Sequence, residues 1–353
     1  MFFIILFIFF SIFYNNKHIL NIFLYYYYIM NYLLFLFLIS LSYANLIINP
    51  LKYKPSFIHW INSYNMVFNT PDHVDNTYKK WLINDEYINY INNKNLSYTL
   101  AHNEFSGLSN NEFNEYYNLK VISKSNLKSI VLESNNNINS LPDSFDWRDF
   151  NAISPVKNQL SCGSCWTFST TGLLEAVYYI KYNKSVNFSE QMLVDCDIYS
   201  NGCKGGSYIN GFNYIKFNNG LCSENDYPYT GNNQKCNIKC NNVINSSISN
   251  IYQVPPNNDI QMMSNVINQP ISVAIEASSM SFQFYKSGVF TGQCGTKLDH
   301  AVLLVGYASD YYIIKNSWGS SWGENGYIRL AKGNYNNGKG QCGVLMAGAF
   351  IKL

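Results

Sequence analysis

All nine cysteines of this 353-residue chain fall between Cys162 and Cys342. Thiols at that density are held as disulfides in an oxidising compartment. Eight can pair and one is left over, so the C-terminal block reads as a cross-linked unit with a single reactive thiol. The start of the chain agrees with that compartment. Its first 44 residues are almost wholly aromatic and aliphatic, interrupted by Asn15, Asn16, Lys17 and His18. Within them Met30 opens a compact unit whose apolar run ends in Ser42-Tyr43-Ala44, the small-x-small pattern of a signal-peptidase site, which puts the cut after Ala44. With Met1 as the start, the two apolar runs would act together as an uncleaved anchor, although neither reaches the roughly 20 clean apolar residues of a span. The expected destination is the secretory pathway: a lysosome or vacuole, or the extracellular space.

With 47% hydrophobic and 13% charged residues the chain is globular rather than disordered, and its formal net charge of +2 offers no basic footprint for nucleic acid. Three blocks follow the leader. Residues 45–120 lack cysteine and space large apolar groups helically at Phe57, Trp60, Ile61 and Tyr64, then at Trp81, Tyr87, Ile88 and Ile91, which predicts two amphipathic helices. Residues 121–140 lose those anchors and run through Ser134, Asn135, Asn136, Asn137 and Asn139, an exposed and cleavable linker. Residues 141–353 hold the cysteines, most of the glycines and strand-like runs such as Ala301-Val302-Leu303-Leu304-Val305.

Chemistry concentrates in the third block. Gln159-Leu160-Ser161-Cys162-Gly163-Ser164-Cys165-Trp166 precedes a proline-free stretch to Tyr182 that reads as a helix. Cys165 therefore sits at a helix N-terminus, where free N–H groups and the dipole favour the thiolate. Of the five histidines only His300 lies in this block, at the head of the 301–305 strand, so it is the candidate base for Cys165. Asn316 follows a second apolar strand, Tyr311–Ile314, and its side-chain carbonyl can hold one imidazole nitrogen. Trp318 and Trp322 would screen that bond from water. Gln159 offers an amide N–H₂ that, with the Cys165 backbone N–H, would form an oxyanion hole worth about 3–4 kcal/mol per donor. A redox pair of Cys162 with Cys165 would leave His300 and Asn316 unexplained, and a zinc site at Cys236 and Cys240 has no histidine nearby.

These residues resemble the papain and cathepsin L family of cysteine proteases, whose signature is C-G-[SA]-C-[WY] with distant His and Asn. His300 lies 135 residues and Asn316 151 residues after Cys165, spacings close to that signature. The likeness runs from about residue 57 to 353 and implies an α+β, papain-like fold of two lobes. One lobe is mainly helical and begins with the Cys165 helix; the other is antiparallel β and carries His300 and Asn316, with the active site in the cleft. It implies an endopeptidase made as a zymogen, since no paired-histidine or cleft-blocking insertion is seen. Leu141-Pro142-Asp143-Ser144-Phe145-Asp146-Trp147-Arg148 resembles the mature N-terminus, and Ser189-Glu190-Gln191 with Asp195-Cys196-Asp197 a second family block. Gly202-Cys203-Lys204-Gly205-Gly206 resembles the substrate-binding glycine loop. By the same likeness Ser207, Tyr208, Ala274, Leu298 and Ala347 line the pocket for the residue two before the scissile bond, and Asp299 and Trp318 complete the substrate set. The small Ala347 floor implies Leu, Phe or Val there. The implied disulfides are Cys162–Cys203, Cys196–Cys236 and Cys294–Cys342, each worth about 2–4 kcal/mol. A resemblance to the malaria-parasite falcipains implies Cys222–Cys240 as an extra pair.

Residues 45–140 resemble the family's inhibitory propeptide and its linker. The helix motif survives as Asn76, Lys80, Asn84, Tyr87, Ile91 and Asn95. The following Ala101-x-Asn103-x-Phe105-x-Gly107 keeps Asn and Phe but lacks the terminal Asp, so the pH trigger for release is expected to differ. No cofactor or metal is implied. The implied partners are peptide and protein substrates, the chain's own propeptide and cystatin-like inhibitors, and the implied state is a monomer. Sequons at Asn95, Asn183, Asn187 and Asn245 are candidate glycosylation sites. The competing expectation is a catalytically silent relative acting as a binding or decoy protein, against which stand Gln159, Cys165, His300 and Asn316.

Overall fold

The structure, a computed structural model, describes residues 29–30, 50–119, 129–131, 141–237, 240 and 244–353. The expected cut after Ala44 and most of the linker lie outside the described residues. Contacts divide the chain into residues 1–76 and 77–353. The composition boundary near 140 is therefore not a packing boundary, because residues 77–119 pack into the same unit as the later block.

In the first unit, helix α1 (Pro55–Ser63) has proline in its first turn, where a missing N–H costs nothing. It buries Phe57, Trp60 and Ile61, the stripe spaced i, i+3, i+4. Lys52 Nζ and Tyr53 Oη donate to the two oxygens of Asp75 at 2.6 and 2.7 Å. Asp75 lies on α2 (Pro71–Asn92), a 22-residue helix that continues into the second unit.

Past residue 77, asparagine amides fold the chain back onto α2. Asn84 Nδ2 donates to the carbonyls of Ser106 and Leu108, 2.9 Å each. Asn92 donates to Leu100 O at 2.8 Å and accepts from Leu100 N at 2.9 Å. Strand β1 (Tyr98–Leu100) follows α2, and a third helix, α3 (Asn110–Tyr116), comes after the loop that Asn84 holds. The periodicity argument missed α3 because it is only 7 residues long, but Ser109-x-x-Glu112 is its signature. Ser109 Oγ accepts from Glu112 N while the Glu112 carboxylate accepts from Ser109 N, closing a capping box. Lys80 Nζ on α2 pairs with Glu112 Oε1 at 2.6 Å.

The later block forms two lobes. Helices α4 (Cys165–Tyr182), α5 (Glu190–Cys196) and α6 (Tyr208–Asn218) make the helical one. The other is a sheet that takes strands from along the whole unit: β2 (Ile130–Val131), β3 (Phe145–Asp146), β6 (Asn250–Val254), β7 (Ile271–Ile275), β8 (Tyr285–Phe290), β9 (His300–Tyr307), β10 (Tyr311–Lys315), β11 (Tyr327–Ala331) and β12 (Gly348–Lys352). A separate two-stranded sheet pairs β4 (Gly220–Leu221) with β5 (Ile244–Asn245). Short helix α7 (Asp259–Val266) packs on β9 and β6 of the large sheet, and α8 (Met280–Gln283) meets α3. Its order is β1-β8-β11-β10-β9-β7-β12-β6-β2, with β3 on β9. Pairing is antiparallel except at β8/β11 and β2/β6. Every residue of β9 is buried, which is why that segment reads as an unbroken apolar run.

The lobes are joined through their hearts. Ser169 Oγ on α4 donates to Val302 O on β9 at 2.8 Å, and Ser272 Oγ on β7 donates to Ser169 O at 2.9 Å. All nine cysteines are described: the bonds are Cys162–Cys203, Cys196–Cys236, Cys222–Cys240 and Cys294–Cys342, and Cys165 is left free.

The leading segment adds β1 to the edge of β8, with Tyr98 opposite Gly288 and Thr99 opposite Ser287. Ser97 Oγ donates to Val289 O at 2.7 Å. Gly288 has φ +95°, and a Cβ there would lie 2.3 Å from Ser97 O, so only glycine admits the added strand.

Burial raises the Glu112 carboxyl, but Lys80 and the Ser109 amide and hydroxyl outweigh it, and the group lies below its usual 4.5. Its contribution is thus complete above pH 4.5 and is lost as the pH falls through the lower folded value. Glu112→Ala is expected to destabilise the docked segment by about 1 kcal/mol near neutrality. The gap from the unaltered chain should narrow well below pH 4.5, as thermal melts at the two pH values would reveal.

Candidate active site

Helix α4 begins at Cys165, so the thiol lies on the first turn, among unpaired N–H groups. The preceding Ser164 does not cap the helix with its side chain. Its hydroxyl instead meets Tyr229 Oη at 2.7 Å, and Tyr229 Oη in turn donates to Gln159 O at 2.7 Å. Tyr229 thereby ties the turn before the helix to the turn that carries Gln159. No feature of the sequence singled it out, because its role exists only after two distant turns meet.

Strand β9 starts at His300, and the N–H of the next residue, Ala301, donates to Cys165 Sγ at 3.4 Å. Asn316 follows β10, whose Ile314 and Lys315 lie opposite Leu304 and Leu303 of β9. Asn316 Oδ1 accepts from Ser317 N at 2.8 Å and lies 2.7 Å from His300 Nε2. An oxygen only accepts, so Nε2 carries the proton and Nδ1 is the imidazole's bare lone pair. Nδ1 is buried with no protein hydrogen-bond partner. Trp318 lies against the ring, centroids 4.7 Å apart and planes at 28°, and Trp322 packs edge-on to Trp318.

Gln159 is wholly buried. Ser317 Oγ donates to its Oε1 at 2.7 Å, its backbone N–H donates to Ser317 O at 2.8 Å, and its Nε2 donates to Cys162 O at 2.9 Å. Two of those anchors come from the residue next to Asn316. The amide is therefore fixed by both lobes, with one N–H of Nε2 still uncommitted.

The expected pocket residues meet around the end of α6. Ser207 Oγ caps that helix through Ile209 N, and Tyr208 Oη donates to Ala347 O at 3.1 Å. Ala274 N donates to the same carbonyl at 3.2 Å. Leu298 and Ala347 are half-buried, and Asp299 Oδ1 accepts from Ala277 N at 2.7 Å. Burial pushes Asp299 up to about 6. Gly205 is open, whereas a Cβ at Gly206 would lie 2.5 Å from the Trp166 ring. The second glycine thus also serves packing behind the loop.

Two alternatives fall on the cysteine partners. Cys162 is bonded to Cys203 and so is not a redox partner of Cys165, and Cys236 and Cys240 are bonded to Cys196 and Cys222 rather than paired for a metal.

The leading segment crosses this site. Tyr117 stacks on Trp318 at 4.7 Å and Phe113 packs edge-on to it at 5.1 Å. Asn118 Nδ2 then donates to Cys203 O, 3.2 Å away on the helical lobe. Farther back, Asn103 Nδ2 donates to Gln283 O at 2.7 Å and Tyr87 Oη meets Ser281 Oγ at 2.7 Å. Beneath that cover, burial pushes the Cys165 thiol up to about 11 and His300 down to about 4. The helix N-terminus favours the thiolate, as expected, but in the covered site desolvation outweighs it. Both groups are neutral in between.

A thiol at a helix start, a bare imidazole nitrogen one residue from its hydrogen-bond donor and an uncommitted amide N–H define a thiol hydrolase with a segment of its own chain across the cleft. Residues 141–350 match the papain family cysteine protease model and residues 57–113 the cathepsin propeptide inhibitor domain. The chain belongs to the papain family: it is a cysteine endopeptidase made as a proenzyme with an inhibitory propeptide. It is 39% identical to the senescence-specific cysteine protease SAG12 of Arabidopsis thaliana over 327 residues, 89% of this chain and 94% of that one. It is also 39% identical to fruit bromelain of Ananas comosus over 305 residues, 84% and 86% of the two chains. Among solved structures, the recombinant stem bromelain precursor superposes with a TM-score of 0.78 at 39% identity, covering 84% of this chain and 98% of that one.

Alkylation of Cys165 by iodoacetamide at mildly acidic pH is expected to be at least about 100-fold faster once the propeptide is removed, because the thiolate fraction sets the rate. His300→Ala should abolish that gain. In the proenzyme the slow rate should climb with pH well past neutrality.

Proposed function

We propose that Cys165 is the nucleophile of this endopeptidase, His300 its base and acid, Asn316 the group that orients His300, and Gln159 an oxyanion donor. The observation that carries the reading is the imidazole held at Nε2 by Asn316 with Nδ1 bare, beside a thiol that accepts from Ala301 N. Once the propeptide leaves and water returns, the proton passes from sulfur to Nδ1, giving a thiolate–imidazolium pair. The thiolate attacks the scissile carbonyl, and the oxyanion is met by Cys165 N–H and Gln159 Nε2–H. The imidazolium then protonates the leaving amine, and a thioester acyl-enzyme remains. His300 next takes a proton from water, which attacks the thioester and frees the acid and the thiol.

Substrate lies extended along Gly205 and Gly206, with an apolar side chain two positions before the cut. Tyr208 supports that preference, because its hydroxyl bonds to the carbonyl of the floor residue Ala347 and leaves the pocket wall to its ring. Domain limits are proposed at 1–44 for the leader, 45–140 for the propeptide with its linker, and 141–353 for the peptidase. The protein works in the secretory pathway as a monomer open to cystatin-like inhibitors. The solvent-exposed Asn183, at the end of α4, supports a glycan there.

Expressed from residue 45 and matured at mildly acidic pH with a thiol reductant, the enzyme is expected to cleave a fluorogenic Phe-Arg peptide. Cys165→Ala should abolish this, and a folded, matured enzyme that cleaves nothing would sink the reading. Ala347→Glu should shift preference from Phe-Arg toward Arg-Arg substrates by about 10-fold or more; an unchanged ratio removes Ala347 from the floor.

A further inference from the structure

Behind the catalytic groups, where the lobes meet, lies a cluster of charges that the reaction itself does not use. Lys157 Nζ is 2.8 Å from Glu175 Oε1 and 2.6 Å from Glu190 Oε1, and both carboxylates are almost wholly buried. Thr171 Oγ1 on α4 also donates to Glu190 Oε1, at 2.5 Å. One oxygen of Glu190 thus takes both donors. The other, Oε2, is buried with no protein partner. Asn316 repeats the pattern on the opposite side. Its Oδ1 is occupied by His300 and Ser317, and its Nδ2 is buried with no protein partner.

Glu190, Asn316 and Lys315 line one small cavity of about 20 Å³. That is enough for a single water, which needs about 10–15 Å³ and two to four polar partners. A buried acceptor and a buried donor left open on one cavity of that size would each cost about 1–3 kcal/mol if unmet.

We propose that one internal water accepts from Asn316 Nδ2 and donates to Glu190 Oε2, making Glu190 a positioning residue for Asn316. The proposal rests on the assignment of Asn316 to His300. Its physical content is the sense of the amide. An Asn side chain has nearly the same shape when turned over, so something must distinguish Oδ1 from Nδ2 if the oxygen is to face the imidazole N–H. Ser317 N does this weakly from the Oδ1 side, and a carboxylate reached through water does it from the Nδ2 side. Lys315, whose Nζ donates to Ser154 Oγ at 2.9 Å, lines the same cavity. The charged groups around the water are thus Glu190, Glu175, Lys157 and Lys315.

Glu190→Gln tests this with little change of volume. The glutamine oxygen stays on Lys157 and Thr171, so its N–H₂ turns to the cavity and replaces the acceptor by a donor. In the matured enzyme kcat/KM is expected to fall roughly tenfold, the scale on which an outer partner orients a functional group, mostly in kcat. The limb of the pH profile that reports the imidazolium should move to lower pH, since a poorly held Asn316 stabilises that cation less. On an Asn316→Ala background Glu190→Gln should cost nothing more. An undiminished fall on that background would mean that Glu190 acts through its charge alone and would overturn the proposal, as would no fall in the single variant. If Asn316→Ala itself leaves kcat/KM unchanged, the failure belongs to the catalytic assignment. A crystal structure of the unaltered enzyme decides independently of how the variants fold. A solvent peak within hydrogen-bond distance of both Glu190 Oε2 and Asn316 Nδ2 is expected, and its absence, or an amide turned with nitrogen toward His300, overturns the proposal.

Discussion

Everything in the catalytic half of this molecule depends on one contact, the start of helix α4 against the start of strand β9. The Ala301 N–H on Cys165 Sγ and the Ser169 hydroxyl on Val302 O are two points of that seam. A helix that begins at Cys165 brings unpaired N–H groups to the thiol, and a strand that begins at His300 holds the imidazole on a buried, rigid element. Neither residue sits on a mobile loop. The flanking turns are then locked to the seam by groups that bond both ways: Ser317 to Gln159, and Tyr229 to Gln159 and Ser164.

The propeptide uses the same seam in reverse. It spans from Trp318 on the β lobe to Cys203 O on the helical lobe, so the cleft is closed by a bridge rather than filled by a plug. In the covered site burial raises the Cys165 thiol and lowers His300, directions that both favour the neutral forms. The motif's terminal acid is replaced by Gly107, but Glu112 with Lys80, and the partly buried Glu104, are two carboxyls of the docked segment whose protonation is shifted. They act in opposite senses: Glu112 lies low and loses its pairing on protonation, while burial raises Glu104, so protonation relieves it.

Much of this was legible in the sequence. Helix periodicity found α1 and α2, the apolar runs found β9 and β10, and the cysteine count required one free thiol. Residue chemistry nominated Cys165, His300, Asn316 and Gln159, and the structure brings all four together. Family likeness supplied the disulfide partners, which spacing alone left open. What stayed hidden has a common cause. Helix α3 was too short for a periodic signal and was written only in its capping box. Tyr229 and the Lys157, Glu175, Glu190 and Lys315 cluster unite residues from distant segments, and nothing local in Glu190 says that its side chain will end up beneath the active site. The cover over the thiol was also hidden, because a helix N-terminus is visible in sequence whereas a segment about 50 residues upstream lying across it is not.

The β1–β8 pairing has a consequence for the enzyme after maturation. Removing residues 98–100 uncovers a strand edge whose N–H and C=O groups were satisfied by the propeptide. Open edges recruit strands, including those of sister molecules. Two local features keep this one selective. Lys286 stands exposed on β8, a charge that two copies meeting edge to edge would have to bring together. Gly288, with its left-handed backbone, breaks the flatness that an indiscriminate partner would need. The propeptide strand that covers this edge has its register fixed by Ser97 and Thr99, so its departure at maturation exchanges a self-supplied strand for an edge bearing an exposed lysine and a left-handed glycine.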